Sequence, residues 1–426
     1  MRIICSSDWH LGNLFHGNDR LEEHKDFFEW LLGQLKEQLP DALLVAGDVF
    51  DNGNPSAAAQ SAYYKFLAEA TRSCPTLRIV ITAGNHDSAS RLEAPRELLT
   101  HHRVEVRGTI KRQWVTGEDG QGDWQIDYDD LLVPVDGQAG DRVIVLAVPY
   151  LRNDVVRDAS YSRGVNHFLR SLTIRARELY PDTPLVMMAH MYASGADIAS
   201  RDASERIIIG GQEQVSMDGW NDHPDYLTCG HIHKRQHIWD TNWARYTGSV
   251  LPMSFAEKDY THGVDLVTLT ANHRPMVEQL VYTPQHRLRV LPEDGADLTV
   301  NQLTRLINNE LQKRTNEKLD DHFDYVWLKV RRKRVNNDDA KMLMDLVNSK
   351  NAVLCKTESI VEAVDPSASV GQRTLTSVND ILNRDPLEAL QEAFVAKHNA
   401  EMNERQKSLL TEVINNIKNE SNDQIS

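Results

Sequence analysis

The sequence predicts an α/β fold built on a parallel sheet covered by helices. Three observations lead there. Short apolar runs alternate with helix-period stripes from Ile3 to Thr82, the βαβαβ order that parallel sheets require. Several of the runs are apolar at successive positions, as in strands covered on both faces. Asp, Asn and His residues fall just beyond these runs, where the carboxyl ends of parallel strands converge on one crevice.

Residues 3–6 form a first strand. Residues 22–39 carry Phe27, Trp30, Leu31 and Leu35 on one helical stripe, residues 42–46 read as a strand, 57–70 as a helix and 77–82 as a third strand. Residues 111–142 are rich in Gly, Asp and Trp, with a turn signal at 118–123, and predict hairpins decorating the sheet. Strands resume at 143–148, 185–189, 226–229 and 264–269. The Tyr63, Tyr64, Phe66, Leu67 stripe and the segment from Leu92 to Leu99 are expected in the core. Near His286 a second, smaller βαβαβ pattern begins, with strands at 288–291, 325–330 and 352–357 and helices at 299–313 and 338–348. A Pro-Ser-Ala-Ser linker follows at 366–369. Two amphipathic helices close the chain, one starting at Asp385-Pro386-Leu387-Glu388 and one over 403–418 with Leu409, Leu410, Val413, Ile414 and Ile417 apolar. The expected domains are 1–280, 285–365 and 370–426.

A chain of 426 residues can bury one large core and smaller ones beside it. It has no apolar run of about 18 residues, so no membrane helix is expected. The start, Met-Arg-Ile-Ile-Cys-Ser-Ser-Asp, reads as a strand and not as a signal peptide. Cys5, Cys74, Cys229 and Cys355 are far apart and form no CxxC pair, which suits reduced thiols in the cytoplasm. The net charge of −15 weighs against nucleic acid as a partner. One local reversal, Lys329-Val-Arg-Arg-Lys-Arg-Val335, offers Lys329, Arg331 and Arg332 as phosphate contacts. A strand edge guarded by charge is the competing reading. Neither a P-loop nor a Gly-x-Ser-x-Gly elbow is present.

Five clusters carry the chemistry: Asp8-Trp9-His10, Gly47-Asp48, Gly84-Asn85-His86-Asp87, His190, and Gly230-His231-Ile232-His233. Residues two apart on an extended segment point the same way, so Asp8 and His10 can grip one ion, as can His231 and His233. Glycine ahead of Asp48, Asn85 and His231 permits a sharp turn at the strand end. Asp8, His10, Asp48, Asn85, His190, His231 and His233 are too many donors for one ion. They suit two ions about 3.5–4 Å apart sharing a carboxylate. Imidazole, carboxylate and amide without thiolate favour Mn²⁺, Fe or Zn over Mg²⁺ or Ca²⁺. Such a pair would activate a water and offset charge on the phosphoryl oxygens.

These clusters resemble the five metallophosphoesterase motifs of calcineurin-type phosphatases and double-strand-break repair nucleases. Ser7-Asp-Trp-His-Leu-Gly12, Val45-Ala-Gly-Asp-Val-Phe-Asp51, Ala83-Gly-Asn-His-Asp-Ser88, Pro149-Tyr-Leu-Arg152, Gly230-His-Ile-His-Lys234, Tyr246-Thr-Gly-Ser249 and Pro252-Met-Ser-Phe255 are similar in order and spacing to the bacterial SbcD-type nuclease subunits. The resemblance implies a metallophosphoesterase sheet sandwich flanked by helices, with a small α+β capping domain and C-terminal helices. It implies one ion held by Asp8, His10, Asp48 and His233, and a second by Asp48, Asn85, His190 and His231. His86 matches the catalytic histidine, Asp87 is expected to orient it by hydrogen bond, and His16 falls where relatives approach nucleic acid. Asp51 stands where archaeal and eukaryotic nucleases carry histidine, which points to the bacterial branch. The implied activity is a Mn²⁺-dependent 3′–5′ exonuclease and endonuclease acting on double-stranded and hairpin DNA in repair, recombination and replication. The implied assembly is a homodimer within a heterotetramer, the two-fold formed through helices in the region of the Tyr63, Tyr64, Phe66, Leu67 stripe, nucleoid-associated, with an SbcC-like SMC ATPase whose coiled coil takes the C-terminal helices. A small-substrate phosphoesterase acting on cyclic nucleotides or phosphoproteins is the rival; it would use the same metals but has no need of a second domain or docking helices. The intact donor set with His86 argues against a non-catalytic adaptor.

Overall fold

The computed structural model describes residues 1–116, 121–156, 158–197, 214–216, 220, 222–239, 241–270, 273–314, 319–320, 322–331 and 336–360. The expected linker, both C-terminal helices, Arg332 and the side chain of Arg331 lie outside the described residues.

Two six-stranded mixed sheets pack face to face. The first contains β1 (Arg2–Ser6), β2 (Ala42–Ala46), β3 (Arg78–Thr82) and β4 (Val104–Arg107). These four are parallel, in chain order across the sheet. The second contains β5 (Leu132–Asp136), β6 (Arg142–Ala147), β7 (Leu185–His190), β8 (Tyr226–Gly230) and β9 (Ala244–Tyr246). Of these, β6 to β9 are parallel, while β5 joins antiparallel at one edge and a two-residue strand, Gln236–His237, at the other. Back in the first sheet, β10 (His262–Thr268) pairs antiparallel with β1, and β11 (Met276–Tyr282) forms the edge. Between the sheets lies an apolar layer including Ile3, Cys5, Leu44, Val80, Val145, Val186, Met188 and Val267.

Helices cover both outer faces. On the first sheet lie α1 (Leu21–Gln38) and α2 (Ala57–Ser73), burying Phe27, Leu31, Leu35, Tyr63, Phe66 and Leu67. Tyr64, expected in the core with its neighbours, is 39% exposed because it lies off the apolar stripe. The second sheet is covered by α3 (Tyr161–Leu179), which the expected element order lacks. Its signal is present in the sequence: Val165, Phe168, Leu169, Leu172 and Ala176 share one helical face, and the Ser160 side chain caps the start.

The 111–142 segment divides in two. Arg112–Thr116 and Gly122–Ile126 form an exposed hairpin, with Trp114 paired against Trp124. Leu132–Asp136 is instead the edge of the second sheet, because Leu132, Val133 and Val135 are apolar enough to enter the sandwich.

Past residue 285, β12 (Arg287–Leu291), α4 (Val300–Glu310), β13 (Asp324–Arg331), α5 (Asn337–Asn348) and β14 (Ala352–Ile360) form a parallel βαβαβ layer with its own core. It meets the sandwich through Phe15, Phe255, Leu288, Val290 and Tyr325. A buried polar clamp backs this seam. Arg20 donates to both oxygens of Glu23 at 2.8 Å, and to the carbonyl of Pro252 at 2.5 Å. The Tyr325 hydroxyl reaches Glu23 Oε1 at 3.2 Å. Removing one partner of a buried pair strands the other charge, at a cost of about 3–5 kcal/mol. Glu23→Ala is therefore expected to lower unfolding free energy in denaturant titration by about that much, whereas Glu22→Ala, in an exposed pair with Lys25, changes it by less than about 1 kcal/mol. Equal losses for the two variants would refute the clamp.

Candidate metal centre

Every donor in the expected set sits at or beyond the carboxyl end of a parallel strand. Asp8 and His10 follow β1, Asp48 follows β2 and Asn85 follows β3; His190 ends β7, and His231 and His233 follow β8. The two sheets thus contribute to one rim. The backbone is forced there: Asp8, His10, Asp48 and His231 have φ of 52°, 47°, 49° and 96°. Non-glycine residues avoid this left-handed region at a cost of about 1–3 kcal/mol each, and such strain persists only where surroundings impose it. Main-chain bonds impose it here, from Asp8 N to Gly47 O at 3.1 Å and from His10 N to Asp48 O at 3.0 Å. Of the three glycines singled out, only Gly47 takes a positive φ, 82°. Gly84 serves by making room, since a Cβ there would lie 2.1 Å from Asp48 Oδ1.

The donors form three overlapping groups, Asp8/His10/His233, His10/Asp48/His86 and Asp8/Asp48/His190, with the ligating atoms of each within 4.8 Å of one another. Asp48 Oδ2 lies 3.3 Å from His190 Nε2 and 3.7 Å from His10 Nε2. Asn85 Oδ1 lies 2.9 Å from both His190 Nε2 and His231 Nδ1. Asp8 Oδ1 accepts from His231 N at 2.9 Å, and its other oxygen is held by Ser7, which also meets Thr247.

His86 lies beside this group, its ring centroid 4.8 Å from that of His10 and its amide bonded to Asp48 Oδ1. Asp87 does not orient it. The Asp87 carboxylate accepts from the amides of Val49, Phe50 and Gly84 at 3.1, 2.9 and 2.9 Å, tying the second and third motifs together. His86 Nδ1 instead meets the main-chain oxygen of Asp51 at 2.8 Å. Adjacency of acid and imidazole in the sequence misleads here because residues i and i+1 point apart in this turn. Asp51 also faces His10 Nδ1 at 3.5 Å, and Glu257 meets His233 Nδ1 at 3.0 Å. Ser7, Thr247 and Glu257 support the donors; Ser7 and Thr247 fall inside the Ser7–Gly12 and Tyr246–Ser249 blocks but carry no assigned role there, whereas Glu257 lies just past the Pro252–Phe255 block, and no spacing marks it. His16 is exposed, its ring 5.4 Å from that of Phe255. The Lys329 ammonium lies 4.3 Å from the Trp327 ring.

Charge is concentrated to match. Burial is the largest single influence on Asp48 and opposes its ionisation, but His190, His10 and His86 together outweigh it and hold the carboxyl far below the usual range. Burial, the largest single influence, would lower His190 and His233; Asp48 with Asp8 and the Ala46 carbonyl at the first, and Glu257 with Asp8 and Asp48 at the second, together outweigh it and lift each to about 9. Burial and then the charge of His190 press His231 down to about 3, leaving it an open donor. Burial, then the charge of Asp48, raises Asp87 to about 6, and burial lowers His86.

The donor set fits divalent cations on an observation independent of motif: His10 Nε2 and His231 Nε2 are buried and have no hydrogen-bond partner among the described residues. Native interiors rarely tolerate such orphans unless an ion or water satisfies them. Mixed imidazole, carboxylate and amide donors suit a borderline metal.

This fold and rim define a calcineurin-like phosphoesterase, and the model of that family matches residues 1–235. Within it, the chain belongs to the SbcD family, the nuclease subunits of SbcCD complexes. It is 37% identical over 286 residues to the SbcD protein of Rhodobacter capsulatus, covering 65% of this chain and 68% of that protein. It is 31% identical over 312 residues to SbcD of Escherichia coli K12, covering 70% and 72% respectively. SbcD of Bacillus subtilis is 30% identical over 280 residues, covering 63% and 66%.

Two outcomes are expected. Gly84→Ala displaces Asp48 and is expected to weaken divalent-cation binding, read with Mn²⁺ as the probe in equilibrium dialysis; binding equal to that of the wild type contradicts the packing described. Because His190 and His233 keep a proton up to about 9 in the metal-free protein, loading at pH 7.5 must displace protons, and affinity must rise with pH from 7 to 9. Calorimetry in buffers of different ionisation heat reads that release; no proton release would contradict it.

Proposed function

We propose that the chain is the metal-dependent nuclease subunit of an SbcCD-type complex, cutting phosphodiester bonds in double-stranded and hairpin DNA as an exonuclease and endonuclease. The observation that carries this reading is the sharing of Asp48 between two groups of donors on one rim, in a chain whose relatives are named as nuclease subunits. Asp8, His10, Asp48 and His233 hold one divalent ion and Asp48, Asn85, His190 and His231 the other, with Mn²⁺ the preferred occupant. The ions, when bound, supply an activated water and offset charge on the phosphoryl oxygens.

His86 acts at the leaving group. With Nδ1–H donated to the Asp51 carbonyl, its other nitrogen is available to the scissile ester. To act as the acid His86 enters as the imidazolium: its Nε2–H passes to the departing sugar oxygen and leaves the neutral, Nδ1-protonated imidazole, the form that burial favours. Asp87 acts through structure, fixing the loops that carry Asp48 and His86.

DNA lies across the rim and the 285–365 capping domain. Lys329 and Lys356 stand 4.3 and 4.1 Å from the Trp327 ring, a basic spot in an otherwise acidic chain. His16, Arg331 and Arg332 extend the contact. The homodimer forms through the outer side of α2 and the short helices Ala89–Glu93 and Arg96–Thr100, where Leu98 is 66% exposed and Tyr64, 39% exposed, lines a cavity of about 460 Å³. Residues 370–426 dock on the coiled coil of the SMC-type ATPase, and the complex works in the bacterial cytoplasm on nucleoid DNA.

The test is cleavage of a hairpin-ended duplex with Mn²⁺, with and without the co-purified ATPase. Wild type cuts. His86→Ala with unchanged metal content loses about 10²–10⁴-fold in rate. Full activity in that variant removes His86 from the chemistry. Hydrolysis of a model phosphodiester without any DNA cleavage, even with the ATPase present, would favour a small-substrate phosphoesterase.

A further inference from the structure

The imidazoles of the rim are backed in two different ways. His233 Nδ1 lies 3.0 Å from Glu257 Oε1, and Glu257 is itself fixed by Met253 N, which donates to Oε2 at 2.8 Å. His10 Nδ1 faces Asp51 Oδ1 at 3.5 Å, and Asp51 is fixed by Asn13 Nδ2 at 2.9 Å. Both histidines belong to the Asp8 group and both have carboxylates behind them. Across the rim, His190 Nδ1 is backed by the main-chain oxygen of Ala46 at 2.9 Å, and the group 2.9 Å from His231 Nδ1 is Asn85 Oδ1, itself a proposed ligand of the second ion, in place of a carboxylate support. A carboxylate behind an imidazole fixes the tautomer, locks the ring and makes the far nitrogen a stronger donor. A neutral carbonyl does this less. The Asp8 group also has a carboxylate of its own beside the shared Asp48, whereas the other group adds neutral donors.

We infer that the two metal positions are unequal by construction, the one formed by Asp8, His10 and His233 being the tighter, with Glu257 and Asp51 as the positioning residues that make it so. This rests on the two-ion reading of the site. Loading is then sequential, the carboxylate-backed position filling first.

The experiment is a Mn²⁺ titration of the metal-free full-length protein, with free Mn²⁺ read by its electron paramagnetic resonance signal. Wild type gives two resolved affinities. Glu257→Gln, which keeps size but removes the charge, weakens the tighter by about 10–100-fold and leaves the weaker in place. Glu257→Asp recovers part of the loss. Asp51→Asn, at a more exposed position, gives a smaller shift in the same class. Two equal affinities in the wild type, or an unchanged tighter class in both charge-removing variants, would overturn the inference and leave the two-ion reading standing. A wild type that binds no Mn²⁺ overturns both.

Discussion

A carboxylate shut away from water is costly unless cations or donors surround it. Asp48, 2% exposed, is such a group, and the rim is arranged around it. Its backbone is held left-handed, its Oδ1 takes the amide of His86, and its Oδ2 faces His190 and His10. Without positive charge at that point the arrangement would be a net loss. Protonated imidazoles can supply the charge in the metal-free protein, and divalent cations supply it in the proposed working state. The same group of atoms therefore explains the lifted imidazoles, the orphaned nitrogens and the strained turns.

The sandwich exists to bring those atoms together. Parallel strands in both sheets end on the same side, so short turns after β1, β2 and β3 meet the end of β7 and the turn after β8. The close-packed apolar layer between the sheets leaves little freedom for the ends to shift. Supporting residues lie further out and come from segments with no metal-binding signature. Glu257 sits on a single 3-10 turn, and Thr247 reaches Asp8 only through Ser7. Rigidity at the donors is thus borrowed from loops that also carry the seam with the βαβαβ layer, through Phe255 and the Pro252 carbonyl.

Much of this is legible in the sequence. Apolar runs ending in Asp, Asn or His mark both the parallel strands and the rim, because one geometric rule generates both signals. The smaller layer is visible from its own alternation around Tyr325 and Leu343. What escapes has physical reasons. Tyr161–Leu179 carries a clear stripe but no chemistry to draw attention to it. The Leu132–Asp136 strand is hidden by the polar hairpin before it. Asp87 holds main-chain amides and not the neighbouring imidazole, because chain adjacency says little about which way side chains point in a tight turn. Glu257 has no signal of its own, since its partner His233 is 24 residues away and only the fold brings them together.

The most direct measurement is anomalous scattering at the manganese edge from crystals grown with Mn²⁺. Two peaks about 3.5–4 Å apart are predicted, with Asp48 between them, Asp8, His10 and His233 around one, and Asn85, His190 and His231 around the other. A single peak, or none within reach of Asp48 at saturating metal, would contradict the shared-carboxylate centre.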